Sequence, residues 1–409
     1  MPTSKAGALR LWYDRKGWEL KFNAASGRVE VWKGGKILHA DYTSIEKVDR
    51  SLARGELFYQ PANNPKPINF SVADWRDYVL KVALDKEYNP VEDYFKALPT
   101  ASKQPEVSIF ERFFDIDYAR FANAGIKQED ALAYVREVSH LLFVNLYRRA
   151  TQAGCKYDQV TALYSEFGGI GKSDFVINLS PFPELVWEGC TGAILSGDEV
   201  QLARKSRGKW VIQVNEVNLT STNKEAYKSN ITLQTYHYDE KFEGHRTYPR
   251  SDVMVCTTNV DRFLTKDESG YRRFLIVPVR FKEEMSSEDA AAKMKEVRAK
   301  YFAAAIERFK EDGVYKPVGD LETIQSRLAA SFAYDTTIEI DIMIDEVRDW
   351  IMHNQDGEKF SIAEVCKNRG LNPRVMERHM PVIMKTLKIK RVRTSERNLY
   401  VVKTDELPH

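Results

Sequence analysis

The sequence predicts an α/β protein built around a mostly parallel sheet. Four apolar, strand-forming runs alternate with helical or loop segments, at Val160–Tyr164, Trp210–Val214, Val253–Cys256 and Phe274–Val279. Strands that are apolar on both faces and separated by helices are typical of parallel sheets, whose faces are covered by helices. The first three runs are followed at once by polar residues, and parallel sheets bind their ligands at such strand ends.

The bulk composition is that of a globular protein with more than one domain. The 409 residues exceed one ordinary core, and 43% of them are hydrophobic and 29% charged. No run approaches the ~20 apolar residues of a membrane span, and the N-terminus resembles no secretory signal, so we expect a cytoplasmic protein. The four cysteines form no CxxC pair, which favours free thiols. With a net charge of only +2, nucleic-acid binding has to be inferred from where the basic residues cluster.

Four regions are expected along the chain. In order, a β-rich region, a helical domain, the domain of the parallel sheet and a C-terminal domain occupy residues 1–75, 76–150, 151–315 and 335–409. The first is expected to be β-rich because Gly27–Trp32 alternates polar and apolar residues and the glycines at 34 and 35 supply a turn. Helices are expected over residues 108–123 and 127–150, and apolar residues recur at helical spacing in the second. A long helix capped by Ser286 is expected to close the third region before a loop at residues 313–319, and three helices and a β-hairpin are expected in the last region.

The strongest local motif is a glycine-rich loop between the first apolar strand and a helical pattern. Its backbone N–H groups would converge on a β-phosphate, its lysine would reach the β- and γ-phosphates, and its serine would hold Mg²⁺. The residues with these roles are Gly168, Gly169, Gly171, Lys172 and Ser173. Glu166 departs from the usual pattern, which has glycine at that position. A glycine-rich turn that binds no nucleotide is the alternative.

The next two strands end in groups that nucleotide hydrolysis uses. Glu216 follows Trp210–Val214 and is the expected base or water-orienting residue. Asn215 occupies the position of the usual aspartate, so Mg²⁺ is expected on Ser173, on waters and on Asn215 as a weaker ligand. After the third strand, Asn259 can hold the attacking water or sense the γ-phosphate.

An arginine pair, Arg272 and Arg273, comes just before the fourth strand. Guanidinium groups stabilise the spread charge of phosphoryl transfer, often from a neighbouring subunit. A basic pair on the surface is the alternative if these residues are considered alone. The order of lysine loop, acid strand, amide strand and arginine pair favours a nucleotide site.

These four elements, in this order, resemble the superfamily 3 helicases, a branch of the ring-forming AAA+ ATPases. More narrowly, residues 85–280 resemble the virulence-associated E family of phages and mobile elements. The likeness begins at Glu87–Tyr94 and continues through Ala153–Lys156, just before the phosphate loop. The resemblance implies an AAA+ P-loop core in residues 151–315, ATP and Mg²⁺ as cofactors, and a hexameric ring. It also implies the nucleotide, catalytic and trans-acting roles assigned above.

The segment between the acid strand and the amide strand also has a counterpart in this family. In superfamily 3 rings it supplies a pore hairpin that grips single-stranded DNA. By this analogy Lys228 would face the pore, with His237 and Lys241 as further candidates for which a surface position is the alternative.

The C-terminal region gathers positive charge. Two helices across a glycine-containing turn, followed by a basic hairpin, resemble a winged helix that binds DNA. The residues expected on DNA phosphates are Lys388, Lys390, Arg391 and Arg393, with Arg374 and Arg378. A charged, solvated face is the alternative.

The leading hypothesis is an ATP-dependent, ring-forming DNA helicase or replication initiator of a phage or mobile element, which translocates on single-stranded DNA. Its expected partners are single-stranded or forked DNA, further copies of itself, and a primase or polymerase. An ATP-switched DNA-binding initiator or loader without unwinding activity is the alternative, kept open by Glu166 and Asn215. A small-molecule P-loop kinase is disfavoured by the arginine pair, the amide strand and the basic C-terminal region.

Overall fold

The chain divides into two compact units, Met1–Phe263 with Ser269–Phe332 and Leu264–Glu268 with Ala333–His409. In this computed structural model the described residues are 2–40, 45–60, 66–101, 105–189, 198–219, 224–240, 244–265, 272–312, 320–334, 336–353, 359–369, 373–393 and 398–401. The predicted loop at residues 313–319 lies outside them. The division into four regions is finer than these two units and stays a prediction.

The N-terminal part of the first unit is a small sheet covered by helices. Its elements are α1 Lys5–Arg15, β1 Trp18–Asn23, β2 Arg28–Lys33, β3 Lys36–His39, a π-helical turn Ile45–Asp49, α2 Arg50–Ala53, β4 Phe58–Tyr59, β5 Lys66–Pro67, α3 Val72–Leu84 and β6 Glu87–Tyr88. The main sheet has the order β3-β2-β1-β6. Its core is rich in aromatic side chains, among them Trp12, Tyr13 and Trp75.

The turn predicted between β2 and β3 is confirmed. Gly34 and Gly35 have φ angles of +56° and +78°, which glycine adopts at little cost and which a tight hairpin turn requires. Helix α1, however, was not predicted. Ser4 caps it by accepting a hydrogen bond from the backbone N–H of Gly7, and its buried residues Leu9 and Trp12 face the sheet core. The region is therefore a mixture of helices and strands.

A helical segment leads into the central sheet. Its elements are α4 Pro90–Lys96, α5 Ile109–Phe113, β7 Asp115–Ile116, α6 Tyr118–Asn123 and α7 Gln128–Thr151. Helix α7 confirms the amphipathic helix expected over residues 127–150. Asn89 caps α4 by accepting backbone hydrogen bonds from Val91 and Glu92.

The elements from residue 160 to residue 331 form the central sheet with its helices and a separate hairpin, and they include one short strand of the second unit. They are β8 Val160–Tyr164, α8 Lys172–Ile177, a 3-10 turn Pro183–Leu185, β9 Val186–Trp187, α9 Glu199–Ser206, β10 Val211–Val214, α10 Lys224–Thr232, β11 Thr235–Glu240, β12 Gly244–Pro249, β13 Val253–Thr258, β14 Leu264–Thr265, β15 Phe274–Arg280, α11 Ser287–Asp312 and α12 Leu321–Ser331. As predicted, Ser286 caps α11, since its Oγ accepts from the backbone N–H of Asp289 at 3.1 Å.

The strand order of this sheet is β7-β15-β8-β13-β10-β9. The five strands from β15 to β9 are parallel to their neighbours, and only the edge strand β7 is antiparallel, so the mostly parallel sheet is confirmed. The expectation of one helix over residues 108–123 was wrong. Strand β7 divides it, because Asp115 and Ile116 pair with Arg280 and Val279 at the sheet edge.

The second unit contains β14 and the C-terminal elements β16 Ala333–Tyr334, α13 Thr336–His353, β17 Lys359–Phe360, α14 Ile362–Arg369, α15 Pro373–Thr386, β18 Lys390–Arg393 and β19 Asn398–Val401. Three helices followed by a hairpin were predicted and are present. The additional strand β17 pairs with β19, giving a sheet of order β17-β19-β18. Its core packs Trp350, Phe360, Met376, Ile383 and Tyr400 together.

Candidate nucleotide site

The glycine-rich loop connects the central strand β8 to helix α8. Gly169 and Gly171 have φ angles of +75° and +83°, in the left-handed region that favours glycine. A side chain at either position would meet nothing within 4 Å, so the space next to this backbone is open. Gly168 and Ser173 are exposed on either side, and the side chain of Glu166 is exposed as well. The loop therefore has the conformation and the access that a phosphate ligand needs.

Lys172 is the buried cation of this loop. Its Nζ donates hydrogen bonds to Asn259 Oδ1 at 2.5 Å and to the backbone oxygen of Phe167 at 3.3 Å. Burial lowers the pKa of Lys172 to about 8, because a buried ammonium group loses hydration. The phosphate loop and the amide after β13, predicted separately, thus meet at one point.

The acid strand and the amide strand are neighbours in the sheet. Asn215 Oδ1 accepts a hydrogen bond from Thr257 Oγ1 at 3.1 Å, and Thr258 Oγ1 donates to the backbone oxygen of Val217 at 2.9 Å. Glu216 lies between these contacts with an exposed side chain and a φ of +50°, which few non-glycine residues adopt. The ends of β8, β13 and β10 therefore bring the predicted lysine, amide and carboxylate residues to one edge of the sheet.

The arginine pair lies at the other edge. Arg272 and Arg273 precede β15, whose first residue Phe274 pairs with Val160, the first residue of β8. Five residues of strand span about 16 Å, so neither arginine is beside the phosphate loop of its own chain. Arg272 is exposed, while Arg273 Nε is buried and has no hydrogen-bond partner within the described residues. The structure does not bring this pair together with the other predicted site residues.

A β-hairpin, β11–β12, is present between the acid strand and the amide strand. Lys228 lies on helix α10, outside that hairpin, and is half-buried. His237 is exposed on β11, with its Nδ1 3.0 Å from Thr247 Oγ1. Lys241, at the tip, lies outside the described residues. The hairpin expected from the family is thus found, but Lys228 belongs to the helix before it.

Three of the predicted DNA-binding residues are exposed in the second unit. They are Lys388, which precedes β18, and Lys390 and Arg391, which lie on it. The backbone of Arg393 ends β18, but its side chain lies outside the described residues, as do the side chains of Arg374 and Arg378. The described basic residues of the hairpin therefore form an accessible positive surface.

Sequence analysis missed one residue beside the site, Arg120. It lies on α6, and its guanidinium donates to Tyr164 Oη at 2.7 Å and pairs with Asp261 at 3.1 Å. Tyr164 is the last residue of β8, and Asp261 comes two residues after Asn259. No local motif marks Arg120, because its place beside the site depends on how α6 packs on the sheet.

The described residues contain neither a cluster of metal ligands nor a membrane-spanning helix. No group of three or more histidine, cysteine, aspartate or glutamate side chains is placed to hold a metal ion there. The expected Mg²⁺ ligands, Ser173 and Asn215, are not of these residue types, and their role stays a prediction. None of the described helices is long and apolar enough to cross a bilayer. The described cysteines, Cys155, Cys256 and Cys366, are free thiols, and Cys190 lies outside the described residues.

The region that contains this site matches a known protein family. The sequence profile of the virulence-associated protein E-like domain matches residues 110–332, more than half of the chain. The chain belongs to the virulence-associated protein E-like family. The matched region includes the phosphate loop, the acid and amide strands and the arginine pair, so the candidate site lies wholly within the domain that defines this family.

Two similar solved structures are both of the NrS-1 C terminal region without ligand. One, of residues 305-718, is 12% identical, covers 98% of this chain and 99% of that chain, and has a TM-score of 0.43. The other, the A form, is 14% identical, covers 94% and 88%, and has a TM-score of 0.40. At these TM-scores neither likeness supports a conclusion about this family member. No curated protein matches the chain.

Proposed function

We propose that this virulence-associated protein E-like chain is an ATP-dependent DNA helicase or replication initiator of a phage or mobile element, with a superfamily 3 AAA+ P-loop core. The observation that carries the proposal is the hydrogen bond between Lys172 of the phosphate loop and Asn259 at the end of the neighbouring strand. Glu216 follows the next strand at the same edge. A lysine, an amide and a carboxylate at adjacent strand ends are the groups that phosphoryl transfer to water requires.

The geometry suggests how these residues divide the work. Backbone N–H groups of Gly168–Gly171 bind the β-phosphate, and the Lys172 ammonium leaves Asn259 to bind the outer phosphates. Asn259 then orients a water molecule, and Glu216 accepts its proton. Bound Mg²⁺, held through Ser173 with Asn215 nearby, would neutralise the charge that develops on the phosphates.

The position of Arg272 and Arg273 favours assembly into a ring. They lie at the edge of the sheet opposite the phosphate loop, so they act on the nucleotide of a neighbouring copy rather than on their own. Each subunit binds a different surface of the next one, and the copies form a closed ring when the repeated rotation between neighbours adds up to a full turn. The ring proposed here is a hexamer. The amino edge of one subunit then completes the site at the carboxyl edge of the next.

Contacts with DNA are assigned to two surfaces. In the first unit, Lys228 on helix α10 and the β11–β12 hairpin with His237 and Lys241 line the pore around single-stranded DNA. In the second unit, the basic hairpin with Lys388, Lys390 and Arg391 binds phosphates, and its binding therefore weakens as salt rises. A primase or polymerase is the expected further partner.

A second candidate is an ATP-switched DNA-binding initiator or loader without unwinding activity. It is favoured by Asn215, whose amide oxygen accepts a hydrogen bond from Thr257 where an aspartate would offer a charged metal ligand. A weaker metal site slows hydrolysis but leaves binding intact. Strand displacement separates this candidate from the motor.

One experiment tests the proposal. ATP hydrolysis is measured with and without single-stranded DNA, and strand displacement on a forked duplex, for wild type and Lys172→Ala. Lys310→Ala is the matched control, since Lys310 pairs with Glu307 on an exposed helix face. DNA-stimulated hydrolysis and displacement that only Lys172→Ala abolishes are expected. Absence of both from the wild type would overturn the helicase, and a protein that stays monomeric with ATP and DNA would overturn the ring.

A further inference from the structure

The loop that follows β13 carries Asn259 and is held in an unusual backbone conformation. Arg262 has a φ of +52°, which a non-glycine residue keeps only where surrounding contacts impose it. On one side the loop is tied to the segment after the acid strand, because the backbone N–H of Leu219 donates to the oxygen of Phe263 at 2.8 Å. A second attachment lies on its other side, close to Asn259.

Arg120 supplies that second attachment. One guanidinium nitrogen lies 3.1 Å from Asp261 Oδ1 in this loop, and another donates to Tyr164 Oη at 2.7 Å. The guanidinium carbon lies 5.0 Å from the centre of the Tyr164 ring and 5.6 Å from that of Phe332, a cation–π arrangement with both. Arg120 thus bridges the end of β8, where the phosphate loop begins, and the loop that carries Asn259.

The base from which Arg120 projects is fixed separately. Asp117 caps α6, its backbone N–H donates to Pro278 at 3.0 Å, and its carboxylate pairs with Arg280 at 3.0 Å. These contacts attach the start of α6 to the carboxyl end of β15. The bridge of Arg120 is therefore not needed to dock the helix.

The Arg120–Asp261 pair also contributes little to the stability of the fold. The side chains are 27% and 54% exposed, and ion pairs of that exposure are worth about 0–1 kcal/mol. The pair is distinguished by its position. Asp261 lies two residues from Asn259, whose Oδ1 accepts a hydrogen bond from Lys172 at 2.5 Å.

We infer that Arg120 is a positioning residue for Asn259: through Asp261 it holds the amide where it orients the attacking water after nucleotide has drawn Lys172 away. The inference rests on the proposed ATP hydrolysis and adds a residue from the helical segment to the site. Without the bridge, Asp261 loses its attachment to α6 and to the end of β8, and the amide of Asn259 loses its alignment with the γ-phosphate.

The test is steady-state ATP hydrolysis by the full chain carrying Arg120→Gln, Asp261→Asn or both. We expect kcat to fall about 10- to 100-fold, the range for misplacing a reacting group by about 1 Å, with KM for ATP unchanged. The double variant should be no slower than either single one, because both remove the same bridge. Arg120→Lys, which keeps the charge for Asp261, should recover part of kcat.

Arg280→Gln is the matched control, because it loosens the start of the same helix without touching the loop of Asn259. It should hydrolyse ATP at the wild-type rate, and all variants should unfold at the wild-type temperature within a few degrees. Wild-type protein without ATP hydrolysis would overturn the proposed function and this inference with it. If the wild type hydrolyses ATP, three results would overturn the role of Arg120 alone. They are Arg120→Gln as active as wild type, Arg280→Gln as slow as Arg120→Gln, and a double variant whose loss of kcat is the product of the two single losses.

Discussion

The two edges of the parallel sheet use the same kinds of side chain in opposite ways. At the carboxyl edge, Lys172 donates to an amide oxygen and a backbone oxygen, and Asn259 and Glu216 are exposed. At the amino edge, Arg250 and Asp252 form an ion pair that is 3% and 1% exposed. The carboxyl edge keeps its polar groups within reach of a ligand, whereas the amino edge pairs Arg250 with Asp252 inside the protein and leaves Arg272 exposed.

Arg250 and Asp252 attach neighbouring segments of the chain to the amino edge. Its guanidinium donates to the backbone oxygens of Asn230 and Ile231, in the last turn of α10, at 2.8 and 2.9 Å. Tyr236 on β11 donates to Asp252 at 2.9 Å. The base of the hairpin is thereby attached to the start of β13, whose other end leads to Asn259. Polar groups that anchor are buried and paired, and polar groups that meet a ligand are left accessible.

Replacing Arg250 should have the largest effect, a loss of stability of the fold. Arg250→Met leaves the carboxylate of Asp252 buried with its charge unpaired, and loss of one partner of a buried pair costs about 3–5 kcal/mol. The free energy of unfolding, measured by urea denaturation, should fall by that amount. Asp261→Asn at the carboxyl edge, which removes only the exposed ion pair with Arg120, is the matched variant and should cost less than about 1 kcal/mol. Equal losses at the two edges would contradict the division of roles.

Substitutions of two exposed carboxylates at the carboxyl edge should differ in their effects on ATP hydrolysis and nucleotide binding. Glu216→Gln should slow ATP hydrolysis about 100-fold or more while nucleotide still binds, because general-base catalysis contributes roughly that factor. Glu166→Gln, also exposed and on the phosphate loop, should not slow hydrolysis and should tighten nucleotide binding by removing a negative charge. Single-turnover hydrolysis and calorimetric titration check both. A Glu166 variant slower than the Glu216 variant would reverse the assignment.

Glycine-to-alanine substitutions at the two edges should also differ in their effect on stability and on nucleotide binding. Gly208, just before β10, has a φ of +69°, and a side chain there would lie 2.2 Å from the backbone oxygen of Ser26. Gly208→Ala should therefore lower the free energy of unfolding by about 2 kcal/mol or more. Gly169→Ala should cost about 1 kcal/mol from its φ alone, because nothing lies within 4 Å. Its larger effect should be weaker nucleotide binding, measured by titration.

The smallest expected effect is a pH dependence of nucleotide binding. Burial lowers the pKa of Lys172 to about 8, so the ammonium form that binds phosphate is present below that pH and is lost above it. Between pH 7 and pH 9 the Kd for an ATP analogue should rise about tenfold, the factor for one pH unit beyond the pKa. Lys172→Met should bind weakly and without this dependence. A Kd independent of pH in the wild type would contradict it.

Local patterns predicted much of this architecture. The strands β8, β10, β13 and β15 and the helices α7 and α11 follow from apolar runs and helical spacing, and the polar residues at Lys172, Glu216 and Asn259 follow from their position after strands. Arg120 could not be found in this way, since its nearness to Tyr164 and Asp261 depends on tertiary packing. Strand β7 was missed for the same reason: two residues become a strand only because β15 offers them an edge.

The arginine pair was expected to act from a neighbouring subunit, and that role stays a prediction. A parallel sheet puts residues before a strand and residues after a strand at opposite edges, so Arg272 and Arg273 lie away from the phosphate loop of their own chain. Their assignment to the nucleotide therefore depends on a neighbouring copy. That dependence makes the oligomeric state part of the chemistry.

Both outer strands of the central sheet, β7 and β9, are only two residues long. Short outer strands offer another chain few unpaired backbone groups, which is a common protection against sheet-to-sheet fusion and fibre formation. The central sheet therefore offers a second copy of this protein little backbone on which to add a strand. Association through side chains on helices and loops is favoured instead.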